Sequence, residues 1–99
     1  MRLKKEEIKI IKETINKFVD NPTIYIFGSR LDDKKRGGDI DIFIISKKDK
    51  INTAKIKFLL ENKLLKPIDI VIHKNFNRLI EKEALKGELI QKGEDNGNM

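Results

Sequence analysis

The stretch Asp39-Ile40-Asp41-Ile42-Phe43-Ile44-Ile45 constrains this chain more than any other. Acidic residues are poor strand formers and are rarely buried alone, yet two of them open the most apolar segment of the protein. A strand turns successive side chains to opposite faces. Asp39 and Asp41 therefore point the same way, about 7 Å apart, while Ile40, Ile42 and Ile44 point the other way. Ile68-Asp69-Ile70-Val71-Ile72 repeats the pattern, with an isoleucine row on one side and Asp69 on the other. If the two strands are neighbours, one face of the sheet is an aliphatic wall for helices and the other presents three carboxylates.

The rest of the chain supplies the elements such a sheet needs. From Leu3 to Val19 the apolar positions Ile8, Ile11, Ile15 and Phe18 recur at helical spacing, and Pro22 lies beyond the end of that helix. Thr23 to Phe27 is a short β-rich run closed by Gly28, and Leu31 to Gly38 is a polar loop. Asn52 or Thr53 caps a second helix that runs to about Leu65, with Ile56, Leu59, Leu60 and Leu64 as its stripe. Pro67 opens the strand Ile68 to His73. Asn75 then caps a last helix carrying Phe76, Leu79, Ile80 and Ala84, with Gly87 near its end. The order is helix–strand–strand–helix–strand–helix. It predicts an α/β (α+β) fold, a small mixed sheet of three to four strands with helices on one face. Residues 1–92 are expected to form a single domain and residues 93–99 a disordered tail.

Composition removes several kinds of chemistry. At 99 residues the chain is one domain with a modest core. It has no cysteine, which excludes a disulfide framework, a thiolate nucleophile and a Cys-type zinc site, and one histidine excludes a site of several imidazoles. No run of apolar residues is long enough for a membrane span, and the charged N-terminus has no signal-peptide core, so a cytoplasmic location is expected. The net charge of +6 suits a nucleic-acid binder, but lysine supplies most of it, and a genome biased towards Lys, Ile, Glu and Asn yields the same balance.

Three clustered carboxylates repel one another unless a cation neutralises them. An all-oxygen ligand set selects Mg²⁺ or Mn²⁺, and paired ions of this kind serve phosphoryl and nucleotidyl displacement. Taken singly, Asp39 reads as a cap on the Gly37-Gly38 turn and Asp69 as a strand-end residue; the shared face is what favours the site. Gly28-Ser29-Arg30 follows a strand directly, where backbone N–H groups, a hydroxyl and a guanidinium suit phosphate oxygens. Tyr25 and Phe27 read as packing residues, His73 as an exposed strand-end residue, and Lys34-Lys35-Arg36 as a solvated loop.

Phe27-Gly28-Ser29-Arg30, a loop, and Gly38-Asp39-Ile40-Asp41-Ile42 together resemble the signature of the DNA polymerase β-like nucleotidyltransferase superfamily, and more narrowly the minimal nucleotidyltransferases (MNT). The loop from Arg30 to Gly38 holds nine residues, one fewer than the family pattern, a change that loops tolerate. The resemblance implies a polymerase β-like core, with Asp39, Asp41 and Asp69 as catalytic, metal-holding residues. It also implies nucleotide binding by Gly28, Ser29 and Arg30, Mg²⁺ or Mn²⁺ as cofactor, and ATP as the donor of AMP to an acceptor hydroxyl. The strip Phe43, Ile45 and Val71 on the acid face has no evident cover, which marks an interaction surface. For partners the resemblance implies a helical HEPN-type or substrate-binding-like subunit, in a hetero-oligomer or homodimer, with the chain acting as the antitoxin that adenylylates its partner. Two other functions stay open: a catalytically silent subunit binding a partner or nucleotide, and a small basic nucleic-acid-binding module.

Overall fold

The computed structural model describes residues 3–28, 40–47 and 50–93. Its elements are α1 (Lys5–Asn16), β1 (Thr23–Phe27), β2 (Ile40–Ile45), α2 (Thr53–Leu64), β3 (Ile68–Ile72), α3 (Leu79–Ala84) and β4 (Glu88–Gln91). The four strands form one mixed sheet in the order β3-β2-β1-β4. β1 is antiparallel to both β2 and β4, whereas β2 and β3 run parallel. A parallel pair needs a long crossover. α2 provides it: the Asn52 side chain accepts the Lys55 N–H at its start, and Leu65 ends it in a left-handed conformation.

The isoleucine alternation becomes the main core. Ile24 and Ile26 of β1, Ile40, Ile42 and Ile44 of β2, and Ile68 of β3 form one wall. Against it pack Ile11 and Ile15 of α1 with Val19 beyond its end, and Ile56, Leu60 and Leu64 of α2. Each side chain taken fully from water contributes roughly 1.5–3 kcal/mol, so this layer carries most of the fold's stability.

The acid face differs from expectation. The short α3 crosses it, and Ala84 is buried there together with Phe27 and Phe43, with Tyr25, Ile45 and Val71 partly buried around them. Phe43 is wholly buried, so the predicted uncovered strip is in fact a second, smaller core. A turn between β3 and α3 makes this possible. The Asn75 side chain accepts the Asn77 N–H instead of capping a helix, so α3 begins after Arg78 and Phe76 lies outside it.

β4 is the fourth strand that the sequence expectation allowed for without placing it in the chain. Its entry depends on Gly87, where an added Cβ would sit 2.3 Å from the Ile26 carbonyl oxygen. Gln91 then ties the strand to α1, exchanging amide hydrogen bonds of 2.9 and 3.1 Å with Asn16. Gly93, expected to begin the disordered tail, is buried and donates its N–H to Thr23 Oγ1 at 2.9 Å. The remainder of that tail lies outside the described residues.

Candidate active site

β2 and β3 pair in parallel with Asp41 opposite Asp69, so the two carboxylates leave the same face of adjacent strands, whose backbones lie about 4.8 Å apart. β1 aligns Phe27 with Asp41, which puts Gly28, the next residue, at the same end of the sheet. Gly28 has φ +83°, and a Cβ built on it would lie 2.0 Å from Asp41 Oδ2. Only glycine lets the chain turn there with the carboxylate against its backbone. Gly28→Ala is therefore expected to displace the Asp41 carboxylate and to cost about 1–2 kcal/mol for the left-handed backbone. Denaturant unfolding reads that loss, and Mn²⁺ titration reads the displaced carboxylate.

Of the six residues singled out in the sequence, Gly28, Asp41 and Asp69 are brought together; Ser29, Arg30 and Asp39 lie outside the described residues. The loop cluster Lys34-Lys35-Arg36 lies outside them too. Among the described residues no three carboxylate or imidazole groups converge, and the pair Asp41 and Asp69 is what the sheet assembles. The donor chemistry fits a hard divalent cation, since two carboxylates in register beside an open glycine supply oxygen ligands alone.

A second pair of residues, on α2, frames Asp69. β3 is an edge strand, and Ile68 turns its free backbone groups outward. Glu61 Oε2 accepts the Ile68 N–H at 3.0 Å, and Lys57 Nζ donates to the Ile68 carbonyl at 2.6 Å. The bond from Ile68 is the main influence holding the Glu61 carboxyl below its usual range, opposed by burial and aided by Lys57. Lys57 Nζ also lies 3.6 Å from Asp69 Oδ1. At the level of sequence these two look like an ordinary i,i+4 surface pair on a helix.

His73 follows β3 directly but is not simply an exposed strand-end residue. Its ring stacks on Phe76 with centroids 4.0 Å apart, and Nδ1 lies 2.6 Å from Glu81 Oε1. An ionised carboxylate only accepts, so Nδ1 carries the proton. His73 stands four residues from Asp69, about 13 Å along the strand, too far to move protons at the acid pair.

The family profile described as Polymerase beta, Nucleotidyltransferase matches residues 9–96, nearly the whole chain. The chain belongs to that family. In this polymerase β-like nucleotidyltransferase domain Asp41 and Asp69 stand side by side on β2 and β3. No curated protein matches the sequence. Among the described residues no helix is long and apolar enough to cross a membrane.

Proposed function

We propose that the chain catalyses metal-dependent transfer of AMP from ATP to an acceptor hydroxyl. The observation that carries this reading is the register of Asp41 with Asp69, beside a glycine whose missing side chain leaves room for the Asp41 carboxylate. In the reaction an acceptor oxygen bonds to the α-phosphorus, the α–β phosphoanhydride bond breaks, and pyrophosphate leaves. A bound Mg²⁺ or Mn²⁺ supplies charge neutralisation and Lewis acidity at the phosphates. Asp41 and Asp69, together with Asp39, would hold it.

Asp69 also accepts the proton of the attacking hydroxyl, since its side chain is about half exposed and reachable from solvent. Gly28 and Ser29 offer backbone N–H groups to the leaving phosphates, and Arg30 stabilises the negative charge that develops there. Positioning and electrostatics carry most of such a reaction. The test is ATP labelled at the α-phosphate. Label on an acceptor with matching pyrophosphate release supports the reading, whereas release of ADP and inorganic phosphate counts against it.

The acceptor side of the site is a helical partner subunit of the HEPN type, which the chain adenylylates in the manner of an antitoxin. With Phe43 buried, the docking surface moves outward to α3 and its flanks. Leu79 is 82% exposed, and Phe76, Ile80, Leu85 and Leu89 are exposed around it. Phe76, Leu85 and Leu89 also line an open pocket of about 420 Å³ that reaches in to Tyr25 and Ile45. Five large apolar side chains within one short segment exceed the scattered singles of an ordinary surface. Leu79→Glu is expected to lower the mass of the mixed complex in light scattering while stability stays within about 0.5 kcal/mol of wild type. An unchanged complex mass sinks this surface.

A further inference from the structure

We propose that Lys57 is the built-in counter-ion of Asp69, a positioning residue whose ammonium stands beside the carboxylate until a divalent cation takes its place. The inference rests on the metal-dependent reading of the acid pair and adds a residue to it.

Lys57 reaches over from α2 to the free edge of β3, and its strongest attachment is to the strand backbone: Nζ donates to the Ile68 carbonyl at 2.6 Å. Glu61, one turn on, takes the Ile68 N–H at 3.0 Å. The two side chains thus satisfy both outward backbone groups of the residue that precedes Asp69, as a further strand would. The ammonium is thereby held in place with 3.6 Å to Asp69 Oδ1 and 3.4 Å to Glu61 Oε2. In register with Asp69 stands Asp41 on the same face, so Asp69 has a like charge on one side and Lys57 on the other.

This arrangement has a functional consequence. Without a cation, two adjacent carboxylates repel, and Lys57 offsets part of that repulsion from outside the sheet. A divalent ion brought between the carboxylates competes with the ammonium for Asp69. The ammonium does not leave the structure when displaced, because the Ile68 carbonyl and Glu61 still hold it. Lys57 thereby sets how much free cation the site needs.

The test is Mn²⁺ binding to the full chain without nucleotide, followed by calorimetry. Lys57→Gln keeps a donor for the Ile68 carbonyl and removes the charge. It is expected to bind Mn²⁺ about two- to fivefold more tightly than wild type, the range an exposed ion pair supports. Lys57→Arg retains the charge and is expected to restore wild-type affinity. In an Asp69→Asn background the same Lys57→Gln change is expected to have no effect. Unchanged or weaker binding by Lys57→Gln, with wild-type Mn²⁺ binding still dependent on Asp41, overturns the role of Lys57 alone. Absence of Mn²⁺ binding in the wild type overturns this inference together with the metal-dependent reading. Should Lys57→Gln fail to fold, Lys57→Met in the same assays decides between the same outcomes.

Discussion

Asp41→Asn is expected to lower magnesium-dependent ATP turnover by at least about a thousandfold, with the fold unaltered. The size of the loss follows from what the substitution removes. Asparagine keeps the shape of aspartate, so the fit against Gly28 survives, but it withdraws one full negative charge from a site that must hold a divalent cation against a triphosphate. A thousandfold is about 4 kcal/mol of barrier, within the several kcal/mol that metal-assisted charge stabilisation supplies. The structural cost is small because the stability of β2 comes from Ile40, Ile42 and Ile44 on the far face, all wholly buried, and from Phe43 beneath α3. Removing a like charge from the neighbour of Asp69 even relieves a repulsion. Pyrophosphate-release or label-transfer assays give the turnover and circular dichroism the melting temperature. A variant with wild-type turnover removes Asp41 from the chemistry.

The acid pair was legible because strand alternation is a local rule. An aspartate between isoleucines has to take the other face; that the two strands are parallel neighbours with their acids in register is what the structure adds. Gly28 was legible for a similar reason, since a glycine directly after a β-rich run marks a close approach. β4 was not. Glu88-Leu89-Ile90-Gln91 is too short for its alternation to stand out, and what makes it a strand is distant: a Gly87 that clears the Ile26 carbonyl and a Gln91 that pairs with Asn16. The cover over Phe43 escaped for the same reason. α3 shows six residues of helix, and nothing local says which face of the sheet it crosses. Lys57 and Glu61 carry a signal, their i,i+4 spacing, but that spacing is ordinary on a helix; only the edge position of β3 turns it into a clamp on Ile68.

What fixes the turn that leads into α3 is Glu81, and its loss is expected to cost the fold substantial stability. The side chain is wholly buried although it is ionisable. Burial disfavours its charged form, but the Asn75 N–H at 2.9 Å, His73 Nδ1 and the Lys74 N–H at 2.7 Å together more than offset this and hold the carboxyl below its usual range. Arg78 adds a guanidinium contact of 3.0 Å. One carboxylate thus gathers two backbone amides, an imidazole and a guanidinium, and fixes the turn that carries α3 back over Phe43. Glu81→Ala leaves those donors without their acceptor and is expected to cost about 2–4 kcal/mol in denaturant unfolding. The pH dependence has a definite sign. A native carboxyl with a lowered pKa stabilises the fold fully above the ordinary glutamate value, and that contribution disappears as pH falls through the native value. Wild-type stability is therefore expected to fall below about pH 4.5, and the gap between wild type and Glu81→Ala to narrow over the same range. A gap that stays constant on acidification means Glu81 serves as packing and not as the ionised centre of the turn.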